Sequence, residues 1–203
     1  MNTKLKEYAD LLVRIGLNVQ SGQQVNIFAP VDCAVLVRAC AEACYDAGAR
    51  EVTVMWNDDK ISRMKYLRAD DAVFDEMPTW LKAFYDSALE NKCPHLAIVG
   101  DDPESLKGVD PTRIQRWRQT TGKAIEAYYK AQTNNDFQWL VAACPTPAWA
   151  NMVFPSTDDA MEQLWEAVFA AVRVTGDGKA VERWAEHVQE QKKLVAKLNE
   201  YAF

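Results

Sequence analysis

The stretch from Gln24 to Trp56 constrains the fold most, because an amphipathic segment lies between two short apolar segments. The two ends, QVNIFA and EVTVMW, are rich in Val and Ile and are bounded by turn-forming residues, which is typical of β-strands. Between them, small and apolar residues recur at helical spacing, and Gly48 stands where a helix would end. A strand, a helix and a strand in this order predict a right-handed βαβ unit with parallel strands. We expect this unit to form the core of the fold, with Val25, Ile27, Val52 and Val54 buried.

Strands and helices alternate along the rest of the chain. Two more apolar segments, LAIVG and QWLVAA, are typical of strands. Amphipathic segments predict helices over residues 3–15, 59–67, 78–89, 110–134, 147–153, 158–172 and 179–201. This alternation predicts an α/β fold with a parallel sheet of about four to five strands, helices on both faces and further C-terminal helices. We expect one domain over residues 1–203, with a helical C-terminal part over about residues 147–203.

Charge and composition exclude several classes of protein. The net charge is -6 and the chain has no basic stripe, so we expect no nucleic-acid partner. No apolar segment approaches the ~20 residues of a membrane span, and the charged N-terminus MNTKLKEYAD lacks the apolar core of a secretory signal. We therefore expect a cytoplasmic protein without a membrane partner. The five cysteines include no CxxC pair and fit reduced core residues better than disulfides or metal ligands.

Polar residues follow each predicted strand. The candidate binding surface consists of Asp32, Asn57, Asp58, Asp101 and Thr146. In open parallel sheets, ligands bind outside the carboxyl ends of the strands, and clustered carboxylates there bind Mg²⁺ or Ca²⁺. The competing interpretation is that an Asp after a strand caps a helix or forms a turn.

No catalytic motif is visible in the residues themselves. Neither GxGxxG nor GxxxxGK[ST] follows the first strand, and HExxH and GxSxG are absent. The two histidines, His95 and His187, are far apart, and we expect them at the surface or in caps rather than on a metal. From the residues alone we assign no catalytic residue and no metal ligand.

Five segments resemble one family of peptidases. They are LKEYADLLVRIGLNVQSGQQVNIFAP, VRACAEACYDAGAREVTVMWNDD, LKGVDPTRI, PTPAWANMVFP and LWEAVFAAVRV, of which GLNVQ-x-GQ and PTPAWA-x-x-VFP are the most specific parts. In this order, over nearly the whole chain, they resemble the N-terminal half of the metal-dependent aminopeptidases of the aminopeptidase T, aminopeptidase S and PepS type.

The resemblance implies a cytoplasmic, homodimeric exopeptidase that removes N-terminal amino acids from peptides. It implies two divalent metal ions, typically zinc or cobalt, held by Glu, His, Asp and Tyr residues of the family's second half. No positions of this sequence match those ligands. We therefore expect an N-terminal domain that supports dimerisation and forms one wall of the substrate cavity, binds no metal and is inactive alone.

Two other functions stay open. The chain is alternatively a free-standing α/β binding module that uses the acidic strand ends without peptidase activity, or a structural or regulatory protein descended from the enzyme. Large apolar residues in the last helices also predict an apolar surface near Trp149, Trp165 or Trp184, which the family's second half or a second copy would cover. The alternative is a helical part that packs on itself.

Overall fold

A four-stranded parallel sheet forms the centre of the computed structural model, which describes residues 2–201. The strands are β1 (Gln24–Pro30), β2 (Glu51–Asn57), β3 (His95–Val99) and β4 (Trp139–Ala143). Their order in the sheet is β2-β1-β3-β4, so β2 and β4 lie at the two edges. Residues 1, 202 and 203 of the predicted domain lie outside the described residues.

Helices cover both faces of this sheet. They are α1 (Asn2–Leu11), α2 (Ala34–Asp46), α3 (Asp59–Arg68), α4 (Thr79–Glu90), α5 (Pro111–Ala124), α6 (Glu126–Thr133), α7 (Pro147–Val153), α8 (Ala160–Ala171) and α9 (Ala180–Asn199). A π-helical turn, Leu12–Gly16, follows α1, and short 3-10 helices span Val31–Cys33 and Asp71–Phe74. The predicted α/β architecture is confirmed, with four strands. No helix within residues 2–201 combines the length and the apolar character that crossing a membrane requires.

The larger core lies on the face that α1, α2 and α8 cover. Val25 and Ile27 of β1 are fully buried there, and the register places Leu96 of β3 beside Ile27. Successive side chains of a strand point to opposite faces, so the apolar residues at every second position of β1, β3 and β4 meet these helices. All five cysteines are free and buried.

Aromatic side chains fill much of the opposite face, under α4 and α6. The ring of Phe28 stacks on Tyr85 at 5.8 Å and on His95 at 4.5 Å between centroids. Tyr128 of α6 contacts Tyr85 edge to face, with 5.0 Å between the ring centroids. Such stacked and edge-on pairs add to the free energy gained by burial.

Two sequence-based expectations differ from the structure. Val52 and Val54, expected in the core, are half-buried because β2 is an edge strand with one neighbour. The predicted helix over 110–134 is two helices that meet at the buried Ile125, whose φ of -118° and ψ of 30° are not helical. Just before this break, the Thr121 hydroxyl donates to the Trp117 carbonyl oxygen at 2.9 Å, a contact that tends to bend helices.

The last helix is attached to the first through a buried carboxylate. Glu7 accepts hydrogen bonds from the backbone N–H groups of Gly176 and Ala180, at 2.6 Å and 2.7 Å. Beyond this attachment the helix has little cover, and Leu194, Val195 and Leu198 are more than half exposed. Trp165, expected near an apolar surface, is buried on Phe169 instead, at 5.1 Å between the rings.

Candidate functional site

The carboxyl ends of the four parallel strands lie together at one end of the sheet, and the predicted binding surface is there. Asn57 ends β2 and donates from Nδ2 to Oδ1 of Asp101, which follows β3, over 3.1 Å. Because β1 lies between β2 and β3, this hydrogen bond passes across the end of β1. The structure therefore brings Asn57 and Asp101 together.

The other three predicted residues have separate settings. Asp58 accepts hydrogen bonds from the N–H groups of Lys60 and Ile61, at 2.8 Å and 3.1 Å, and so caps α3. Asp32 is exposed in the 3-10 turn after β1. Thr146 is buried before α7, and its hydroxyl has no hydrogen-bond partner in the described part of the chain. As a binding surface, the five residues stay a prediction.

A second pair of carboxylates ties the start of α3 to the loop after β3. Asp59 Oδ2 accepts the backbone N–H of Asp102 at 2.8 Å, and Asp102 Oδ1 accepts that of Glu104 at 2.9 Å. Partial burial, followed by the nearby charges of Asp101, Asp102 and Asp58, raises the pKa of Asp59 against the opposing effect of the hydrogen bond. These contacts show the turn-forming role that competes with cation binding.

Protein atoms pack tightly on one side of Gly100, at the crevice where a doubly wound sheet usually binds its ligand, while a cavity of about 190 Å³ opens beside Val99, Gly100 and Trp149. The strand order reverses between β1 and β3, and Gly100 follows β3 at this point. A Cβ atom at Gly100 would lie 2.4 Å from the carbonyl oxygen of Cys144 and 2.7 Å from Sγ of Cys33. The loops after β1, β3 and β4 therefore pack against one another here.

The described residues do not fit a two-metal centre. Within residues 2–201, no three His, Cys, Asp or Glu side chains come close enough together to hold a metal ion. His187 lies on α9, where its ring contacts Trp184, and His95 lies in β3 on the other face of the sheet. A centre with two divalent ions needs several His and carboxylate ligands directed at one point.

His95 lies in an aromatic environment, not at the surface or in a cap as the sequence led us to expect. Its Nδ1 is 2.8 Å from the Tyr128 hydroxyl, and its ring stacks on Phe28. Burial lowers the pKa of His95 to about 4, because a charged imidazolium loses its hydration there. The neutral ring is thus the form that this cluster holds near neutral pH.

One buried charged residue had no signal in the sequence. Glu7 lies among the apolar positions of α1, yet its carboxylate is buried against the start of α9 and the guanidinium of Arg183. A glutamate on an amphipathic helix is ordinarily expected at the solvent face, and its partners lie more than 160 residues away. The spacing of residues along α1 gives no indication of such a partner.

Comparison with known proteins links the whole chain to one group of enzymes. Aminopeptidase AmpS of Bacillus subtilis (strain 168) is 36% identical over 199 residues, which cover 97% of this chain and 48% of that protein. Aminopeptidase T of Thermus aquaticus is 33% identical over 201 residues, or 98% of this chain and 49% of that protein. The chain therefore spans about half the length of these relatives.

The fold is shared as well. The structure of wild-type AmpT from Thermus thermophilus superposes with a TM-score of 0.88 at 31% sequence identity, covering 100% of this chain and 50% of that chain. The family described as thermophilic metalloprotease (M29) matches residues 1–203. From the first residue to the last, this chain belongs to the thermophilic metalloprotease (M29) family.

Proposed function

We propose that this chain is the N-terminal domain of a metal-dependent aminopeptidase, an enzyme that removes N-terminal amino acids from peptides. One observation carries the proposal: the family matches residues 1–203, while relatives named aminopeptidases are about twice as long as the matched region. In this proposal the chain is a rigid scaffold that supports dimerisation, and it forms one wall of a cavity that admits peptide substrates.

The metal centre of such an enzyme lies outside the described residues in this proposal. There, two divalent ions, zinc or cobalt, would supply the activation of the attacking water. Because residues 2–201 offer no cluster of metal ligands, we place the ligands in the part of the enzyme that the relatives have beyond the match. We also propose a cytoplasmic location.

The free-standing binding module is the weaker alternative. Asp58 already caps α3, and Asp59 already bonds the loop after β3, so these carboxylates have structural partners. The packing of Gly100 against Cys33 and Cys144 also narrows the crevice where a doubly wound fold would admit a small ligand. The strand-end contacts are therefore explained without a bound cation.

A chimera tests the proposed function. This chain would replace the matching part of AmpS from Bacillus subtilis, and release of p-nitroaniline from leucine p-nitroanilide would be measured with Co²⁺ or Zn²⁺. We expect activity from the chimera that a chelator abolishes, and none from the 203-residue chain alone. Chelator-sensitive release by the chain alone would contradict the scaffold role. A cooperatively folded but inactive chimera would contradict the assignment to an aminopeptidase.

A further inference from the structure

The outer edge of β4 is open. The Gln138 carbonyl oxygen accepts the N–H of His95, and the N–H of Cys144 donates to the Val99 carbonyl oxygen. The backbone groups of the even-numbered residues of this segment therefore point toward β3. By alternation, the N–H and C=O groups of Trp139, Val141 and Ala143 point away from β3. Of these, the Ala143 carbonyl oxygen also accepts a hydrogen bond from the Tyr8 hydroxyl at 3.0 Å. No strand in the described part of the chain pairs with β4 on that side.

An apolar groove runs beside this open edge. Its volume is about 450 Å³, and its lining includes Ile15, Leu140, Val141, Val172, Trp184 and Val188. Among the described residues, none that lines it carries a charge. The side chain of Val141 is 53% exposed, and that of Trp139 is 42% exposed.

Edge strands of this kind are ordinarily protected. Proteins place Lys, Pro, an inward charge or a covering loop at a free edge, because unpaired N–H and C=O groups accept another strand. The five residues of β4, WLVAA, contain no charge and no Pro. An apolar edge beside an apolar groove therefore indicates that another strand pairs with it.

The handedness of crossover connections bears on which strand can pair with this edge. The crossover from β3 to β4 runs over the face that α6 covers, whereas α8 packs on the opposite face. Right-handed crossovers on opposite faces of a sheet place the next strand on opposite sides of the first. A crossover from β4 through α8 would therefore place the next parallel strand on the β2 side of β4. A direct right-handed crossover through α8 is therefore not the source of a strand at the edge of β4.

We propose that β4 pairs antiparallel with β4 of a second copy of this chain, across a two-fold axis at Val141. Two-fold symmetry about an axis perpendicular to the sheet makes the two edge strands antiparallel. The outward-pointing residues then match: Val141 lies opposite Val141 of the partner subunit, and the large Trp139 lies opposite the small Ala143 of the partner subunit. The absence of charge at the edge leaves no repulsion between identical strands.

This inference locates the interface of the proposed dimer. It rests on the proposed function in one respect, the expectation that a dimer forms. The association is measured without any assay of activity. A failure of the interface and a failure of the enzyme assignment are therefore distinguishable.

Two variants at Val141 test the pairing. Val141→Pro removes an outward N–H without removing a bond between β3 and β4, and Val141→Lys places a charge at the two-fold axis. The matched control is Val35→Lys on α2, because Val35 is also 53% exposed and lies outside the groove. Sedimentation from about 1 µM to about 100 µM spans the dissociation constants of weak to moderate interfaces.

We expect a concentration-dependent dimer for the natural chain and for Val35→Lys, and a shift of at least tenfold toward monomer for both Val141 variants. Circular dichroism and the urea midpoint would show that the variants stay folded. A natural chain that stays monomeric over the whole range would overturn the proposal in favour of another occupant of the groove. A dimer that resists both Val141 variants would place the interface elsewhere.

A crosslink tests the register directly. Antiparallel residues in a hydrogen-bonded pair have Cα atoms ~5.5 Å apart, which lies within the range of a disulfide. With oxidised glutathione, Val141→Cys should form a covalent dimer and Val35→Cys should not, while the five natural cysteines are buried and contribute little background. Equal crosslinking of the two variants would contradict the proposed register.

Discussion

The carboxylate of Glu7 lies 3.0 Å from the guanidinium of Arg183 and thereby joins the first helix to the last. Only 4% of the Glu7 side chain is exposed, and the same carboxylate accepts the N–H groups of Gly176 and Ala180. A carboxylate at the N-terminus of a helix is stabilised by the helix dipole and by the free N–H groups there. Glu7 therefore holds α9 on the main core.

Replacing Glu7 by Ala should destabilise the fold by about 3 kcal/mol, because buried N–H groups and part of a guanidinium lose their partner. The control is Glu166→Ala, which breaks the 2.7 Å ion pair with Lys4 between α1 and α8. Since the Glu166 side chain is 56% exposed, the control should cost less than about 1 kcal/mol. Urea unfolding measures the free energy of unfolding of both variants. An equal loss in the two would show that Glu7 is not essential to the attachment of α9.

Local sequence patterns were sufficient to predict the central helix and strands of the fold. The βαβ unit from Gln24 to Trp56 could be predicted because its strands, its helix and Gly48 are all specified within a short range. Strand order depends on contacts between distant segments. For this reason the partial burial of Val52 and Val54 on the edge strand β2 could not be predicted.

The candidate site shows the same division between local and distant contacts. The cap that Asp58 forms on α3 follows from its position after a strand, and this role was among the alternatives. The contact between Asn57 and Asp101 depends on the sheet order, as does the packing of Gly100 on Cys33 and Cys144. The environment of His95 depends on Tyr128, which comes 33 residues later.

Replacing Gly100 by Ala should destabilise the protein by about 3 kcal/mol or more, because overpacking a tight site forces the backbone to shift. The new Cβ would lie 2.4 Å from a backbone oxygen, which cannot move away as a side chain does. Gly122→Ala in α5 is the matched control, since nothing lies within 4 Å of its Cβ position. Removing a helical glycine should stabilise the protein by about 1 kcal/mol. The unfolding temperature should therefore fall for Gly100→Ala and rise for Gly122→Ala. An unchanged unfolding temperature for Gly100→Ala would show that the three loops are loosely packed.

Replacing Thr146 by Val should leave stability unchanged or raise it by up to about 1 kcal/mol. Its buried hydroxyl has no partner within the described residues, and a methyl group of similar size needs none. Thr120→Val is the control, because the Thr120 hydroxyl donates to the carbonyl oxygen of Phe74 at 2.8 Å. That variant should lose about 1 kcal/mol, the typical net contribution of a hydrogen bond. A marked loss of stability in Thr146→Val would show that the hydroxyl has a partner, such as a bound water.

His95 should make the protein less stable as the pH falls from 6.5 to about 4. Burial lowers the pKa of His95 from 6.5 to about 4, so between these values the unfolded chain takes up a proton that the folded chain does not. The contribution is complete above pH 6.5 and is lost progressively as the pH approaches 4. Its full size is about 3 kcal/mol, from the width of this pH interval.

Urea unfolding at several pH values between 7 and 4 measures this effect, with His95→Asn as the variant. Asn places an uncharged amide near the position of Nδ1, so the variant should lose the part of the pH dependence that His95 contributes and keep the part from carboxylates. Tyr128→Phe removes the hydroxyl 2.8 Å from Nδ1 but leaves the ring that buries His95. Since burial is the cause of the lowered pKa, Tyr128→Phe should keep most of the pH dependence. If His95→Asn and the natural chain lost stability in parallel as the pH fell, the histidine would be accessible to protons in the folded state.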